Sequence, residues 1–176
     1  LFLKHIIEAK KSGADLVKIQ TYEPEDMVVD KNFKIKSGTW KNMNLMKLYK
    51  KAHTPFEWHY DAFKIAKKYN INLFSTPFSE RSFNFLKKFK PKIYKVASFE
   101  ITDLNLIKLI AKTKKPIILT TGLSSNKEIL TAIKLIKKYH NNIILLHCIS
   151  GYPTPTEEVN LHKFQALKKL TNLKYI

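Results

Sequence analysis

The sequence predicts an α/β fold on a parallel sheet, of (β/α)8 TIM-barrel type and incomplete, truncated at both ends of the barrel. Three observations carry this expectation. Short β-rich apolar runs alternate with helix-period segments along all 176 residues, and such alternation means parallel strands joined by crossover helices. The runs at 117–119 and 143–146 are apolar at every position, as strands covered on both faces are. No GxGxxG or GxxxxGK loop occurs among the four glycines. Polar residues instead follow nearly every strand, where a barrel builds its site. An open doubly wound sheet, the other fold with this alternation, would gather them at one crevice.

Each element has a local reason. Residues 1–12 read as a helix ended by Gly13, and 15–21 as a strand. A helix over 55–68 is expected to open on Thr54 as N-cap, with Pro55 at its first position and Glu57 closing a capping box. Residues 71–75 form the next strand, and 79–89 a helix capped by Ser79. A strand at 92–97 leads to a helix at 103–112 capped by Asp103 or Thr102. Then follow a strand at 116–121, a helix at 125–139, a strand at 143–148, a helix at 161–170 and the start of a sixth strand at 173–176. Residues 23–54 read as a long loop with a short helical stretch near 44–51, and long loops at strand ends are often functional. A full barrel takes about 250 residues, so residues 1–176 are expected to be one partial barrel lacking its first strand and last units.

Composition narrows the function classes. A hydrophobic fraction of 44% with 26% charged residues excludes wholesale disorder. The single cysteine, Cys148, excludes a disulfide framework and a Cys-rich zinc module. Apolar runs of only a few residues exclude a membrane-spanning helix, and no charged-then-apolar leader is visible. The net charge is +18, from 32 basic and 14 acidic residues. Arg81 is the only arginine, whereas nucleic-acid readers favour Arg for bidentate recognition. The lysines are dispersed, often as pairs on helix faces. A solvated surface explains them, with a positive field that attracts small anions as the functional reading.

The strand ends carry the candidate chemistry. They offer Lys18 and Gln20, then Ser75, Thr76 and Pro77. The later ends offer Lys95, Ser98 and Glu100, then Thr120, Thr121 and Gly122, and last His147, Ser150 and Tyr152. Lys18 and Lys95 interrupt apolar strands, where an unpaired ammonium is expensive. Their partner is an internal carboxylate such as Glu100, a phosphate or carboxylate ligand, or a Schiff-base carbonyl. The serines and threonines suit an anion, because their hydroxyls donate. His147 reads as an oriented polar side chain, and Cys148 as a small core residue. His53, His59, His140 and His162 read as surface, and Trp40 and Trp58 as packing residues, with Trp40, in the long loop, placed where it could border a substrate. No HxH or HExxH pair occurs, so no metal site is expected within this chain.

The segments GADLVKIQTY, NLFSTPF, KIYKVASFEITDLNLI, KKPIILTTGLSS and IILLHCISGYPTP, in this order, resemble the sialic acid synthase family. The resemblance covers essentially the whole chain. It implies a (β/α)8 barrel followed by a small antifreeze-like domain, in a homodimer, in the cytoplasm. It implies condensation of phosphoenolpyruvate with an acylamino sugar, giving a nine-carbon 2-keto acid and phosphate. A divalent metal, commonly Mn2+, would polarise the sugar aldehyde, with ligands expected outside this chain. Lys18 and Lys95 match the family's phosphoenolpyruvate lysines. Thr76, Ser98 and Thr120 match its hydroxyl contacts, and Glu100 its proton-handling acid. Gln20, His147 and Tyr152 fall among the substrate-binding positions. Ser150 stands where many members have Asn, which shortens that contact. Because the first-strand acid and the metal-binding histidines are missing, the isolated fragment is expected to be inactive. The stretches Ser37-Gly38-Thr39-Trp40 and LYKKAHTPFEWH resemble the pseudaminate-synthase branch, which implies a 2,4-diacetamido-trideoxyhexose substrate. The rivals are an N-acetylneuraminate or legionaminate synthase, another phosphoenolpyruvate or pyruvate barrel, a non-catalytic anion-binding module driven by the +18 charge, or a degenerate product.

Overall fold

A computed structural model describes residues 1–176 as two compact units, Leu1–Lys92 and Ile93–Ile176. No helix is long and apolar enough to cross a membrane.

The first unit runs α1 (Phe2–Lys11), β1 (Leu16–Thr21), α2 (Pro24–Met27), α3 (Leu45–Ala52), α4 (Phe56–Lys68), β2 (Asn72–Pro77) and α5 (Glu80–Leu86). Strands β1 and β2 pair in parallel, Leu16 opposite Asn72 through Thr21 opposite Pro77. Ile6, Ile19, Ala62, Ala66, Ile71 and Leu73 form its buried core. Ser79 caps α5 by accepting from Ser82 N, as expected. The expected capping box at Thr54 does not form. Helix α4 begins at Phe56, with Pro55 at the N-cap position and no side-chain cap. The Pro55 carbonyl instead takes the amide of Trp58 and lies 3.0 Å from His59 Nδ1. The loop at 23–54 holds the short helix α2, which the sequence reading missed, and α3, whose N-cap Asn44 accepts from Lys47 N. Arg81 pairs with Glu23 at 3.1 Å, and its guanidinium carbon lies 5.8 Å from the Phe56 ring centroid.

His59 corrects the surface reading: it is fully buried. Its Nε2 lies 2.8 Å from Thr21 Oγ1, which lies 2.6 Å from Ser75 Oγ. Ser75 donates in turn to the Ile19 carbonyl at 3.0 Å. One network thus ties α4 to both strands, and burial holds the imidazole below its ordinary value of 6.5. The two tryptophans are also more exposed than expected, Trp40 at 43% and Trp58 at 48%, although Trp58 keeps a ring contact with Phe2. His53 is half-buried, while His140 buries its Nε2 without a hydrogen-bond partner.

The second unit runs β3 (Tyr94–Val96), α6 (Leu104–Ala111), β4 (Ile117–Thr120), α7 (Asn126–Lys137), β5 (Ile143–Leu146) and α8 (Lys163–Thr171). Its strands pair in parallel in chain order, β3 with β4 and β4 with β5, without a reversal. Tyr175 adds a parallel bridge to Ile144, where the sixth strand was expected to start. Asp103 caps α6 through Leu106 N, and Ser125 and Glu128 close a capping box on α7. All four residues of β4 are buried, while Ile144 and Leu146 of β5 are only half-buried.

Two outcomes test this account. Leu119→Ala, at a fully buried position, should cost about 2–5 kcal/mol in urea unfolding. His59 holds its proton less tightly folded than unfolded. Its contribution is therefore complete above pH 6.5 and is lost as pH falls through the lowered value. His59→Leu should destabilise at pH 7.5 by about 1–3 kcal/mol, because the buried Thr21 hydroxyl loses its imidazole partner. It should also flatten the fall in stability between pH 7 and 5; an unchanged slope would contradict this origin.

Candidate active site

The second unit gathers most of the expected residues on the loops that follow its strands. Lys95 is the middle residue of β3, half-buried between buried Tyr94 and Val96. The chain then turns through a short 3-10 helix at Phe99–Thr102, which carries Glu100 two residues after Ser98. Glu100 is half-buried, and its Oε2 is out of solvent with no hydrogen-bond partner. Burial pushes its carboxyl up to about 7, opposed by a backbone hydrogen bond and the charge of Lys95 and assisted by Asp103. Burial likewise pulls the Lys95 ammonium down, while Cys148 and Glu100 hold it up. Each group therefore lies nearer neutrality than it would in water. An arriving anion would find a poorly solvated cation near a carboxyl that holds its proton more tightly than it would in water.

Thr120 and Gly122 come from the end of β4. Thr120 is buried and donates to the Val96 carbonyl at 2.8 Å. Its proton thus braces β3 against β4. Thr121 does the same toward the Leu146 carbonyl at 3.0 Å. The Gly122 amide donates to Ser98 Oγ at 3.1 Å, and Ser150 lies against the same glycine. His147 Nε2 lies 2.9 Å from the Val159 carbonyl, so that nitrogen carries the proton and the ring is oriented, as expected. Cys148 is half-buried rather than a core residue. Tyr152 is 75% exposed, with a cis peptide bond to Pro153.

Lys18, Gln20 and Thr76 lie in the first unit. Gln20 and Thr76 are register partners on β1 and β2. Lys18 is exposed, which corrects the expectation of a lysine enclosed by an apolar strand; its neighbours Val17 and Ile19 point the other way. Gln20 is exposed too. Thr76 is fully buried with no hydrogen-bond partner for its hydroxyl. Gly122 was read among the strand-end candidates but given no role; its place after a Thr-Thr strand end was the readable signal.

No group of three His, Cys, Asp or Glu side chains comes together to hold a metal ion. His147 spends one nitrogen on Val159, and Glu100 stands beside a cation. These residues do not form a cation site by themselves.

A family model described as NeuB family matches residues 5–175. Pseudaminic acid synthase of Campylobacter jejuni is 43% identical over 175 residues, covering 97% of this chain and 51% of that protein. N,N'-diacetyllegionaminic acid synthase of the same species is 38% identical over 173 residues, covering 94% and 52%. The crystal structure of N-acetylneuraminic acid synthetase from Leptospira borgpetersenii, in complex with citrate, superposes with a TM-score of 0.85 at 31% identity. It matches 97% of this chain and 56% of that one. The expected TIM-barrel-type fold is the fold of this neighbour. The chain spans about half the length of the curated relatives it matches.

The carboxyl of Glu100 generates a prediction. Folded, it holds a proton that the unfolded chain has released above its ordinary value of 4.5. Ionisation in place therefore costs stability increasingly as pH rises through about 7. Glu100→Gln should raise the melting temperature at pH 8 and leave it nearly unchanged at pH 5. Equal shifts at both pH values would remove burial as the cause.

Proposed function

The chain belongs to the NeuB family, and from that premise we propose that the protein of which it forms the matched region condenses phosphoenolpyruvate with an acylamino sugar. The products are a nine-carbon 2-keto sugar acid and phosphate. The observation that carries the reading is the half-buried Lys95 and Glu100 on the short segment that also holds Ser98, whose Oγ accepts from the Gly122 amide. This is a cation, a proton-bearing carboxyl and hydroxyl donors on one set of strand ends.

In the reaction C3 of the enol attacks the sugar aldehyde, and water attacks C2. The phosphate ester bond then breaks and the 2-keto group forms. Lys95 supplies positive charge to the anionic substrate, which repays the cost of keeping a lysine half-buried. Ser98 and Ser150 donate to its carboxylate or phosphate oxygens. Lys18, Gln20, Thr76, His147 and Tyr152 remain candidate substrate contacts. Glu100 holds a proton near neutrality and hands it to, or takes it from, the reacting centre. Holding both substrates in one orientation supplies much of the rate. A divalent cation such as Mn2+ would polarise the aldehyde. Its ligands would lie outside residues 1–176.

The sugar we favour is a 2,4-diacetamido-trideoxyhexose, which would make the product a pseudaminic acid. Identity to the Campylobacter jejuni enzyme at 43%, against 38% for the legionaminic acid synthase, supports it. So do the Ser37–Trp40 and Leu48–His59 stretches. The proposed setting is a cytoplasmic homodimer with no nucleic-acid or membrane partner.

The test is phosphate release from phosphoenolpyruvate by the full-length protein with Mn2+, candidate sugars being offered singly. Release with the diacetamido-trideoxy sugar of the pseudaminic series is expected. Release only with N-acetylmannosamine or the legionaminic precursor would keep the reaction and overturn the sugar. No release with any of them, from folded and metal-loaded protein, would overturn the reaction.

A further inference from the structure

Gly122 occupies the turn after β4, closed in on three sides. Its amide donates to Ser98 Oγ at 3.1 Å. A Cβ built on it would overlap Ser150 Oγ, meet Ser98 Oγ at 2.9 Å and meet the Cys148 carbonyl oxygen at 3.2 Å. Its backbone is not in the left-handed region, so glycine is needed here for space rather than for conformation. Ser98 follows β3, while Cys148 and Ser150 follow β5. One missing side chain therefore sets the spacing of three strand ends.

The hydrogen bond also fixes a polarity. A serine hydroxyl has one proton and two lone pairs. Ser98 Oγ spends a lone pair on the Gly122 amide, so its own proton points elsewhere. Neither the Ser98 nor the Ser150 hydroxyl donates to a protein acceptor, although both crowd the same glycine. Two unspent donors so close together call for an acceptor with several lone pairs.

We propose that Gly122 is a positioning residue for the anionic substrate. Its amide turns Ser98 into an outward donor, and its bare Cα admits the Ser150 hydroxyl, so that both grip one carboxylate or phosphate. This inference rests on the reading of the site as one for phosphoenolpyruvate.

The test is calorimetric titration of the full-length protein with phosphoenolpyruvate alone, no sugar being present. Gly122→Ala should weaken binding about ten- to hundredfold, the scale of hydrogen bonds to a charged group. In turnover it should raise KM for phosphoenolpyruvate and leave KM for the sugar unchanged. In a Ser98→Ala, Ser150→Ala background the two closest atoms are gone, and the Cys148 carbonyl oxygen at 3.2 Å is the remaining one of the three nearest. There Gly122→Ala should change binding less than about threefold, because coupled sites are non-additive. An unchanged Kd in Gly122→Ala, or the same loss in both backgrounds, would overturn the proposal. Should Gly122→Ala alone fail to fold, the triple variant is expected to fold and bind like its background; failure there too would trace the clash to backbone and overturn the role. If the wild type binds no phosphoenolpyruvate, the substrate reading fails, and the titrations are repeated with inorganic phosphate. Gly122-dependent phosphate binding would keep the positioning role, and none would end it.

Discussion

The burial of β4 on both faces governs the second unit. Ile117, Ile118, Leu119 and Thr120 have no solvent-facing side, so a polar side chain within that strand must find its partner on the neighbouring backbone. Thr120 does so at the Val96 carbonyl. Polar side chains are thereby displaced to the residues just beyond the strand, where the chain leaves the sheet and backbone groups become available. Gly122, Ser98 and Ser150 meet there for that reason. The same constraint explains why Lys95 and Glu100 shift toward neutrality together: both stand at the edge of a layer that water does not reach.

Much of this was legible in the sequence because the apolar runs are short, β-rich and evenly spaced. The strand at 117–120 was read almost to its ends, since nothing in IILT suits a helix surface. Ser79 was recognised as a cap by residue type alone, and Asp103 as one of two choices with Thr102. The failures have physical causes. The four-residue α2 is too short for any periodicity to register. Thr54 looked like a cap because capping motifs are read from side chains, whereas the carbonyl of Pro55 took the helix start.

The site was readable as a set of residue types but not as a set of contacts. Glu100 follows a strand in a short polar run, so its location was visible; its orphaned oxygen depends on packing from other segments. His59 carried a signal that was passed over. It lies three and seven residues before Ala62 and Ala66, on one helical face, and all three are buried. Lys18 shows the opposite limit. Alternation placed it on a strand, but whether that face is covered depends on what lies over it.

Arg81 carries a consequence of another kind. In a chain where every other basic side chain except histidine is lysine, one guanidinium pairs with Glu23 while lying near the Phe56 ring. A lysine reproduces the charge but not the flat, forked surface. Arg81 is therefore a position where exchange for lysine would keep the charge and lose the shape that faces both Glu23 and Phe56.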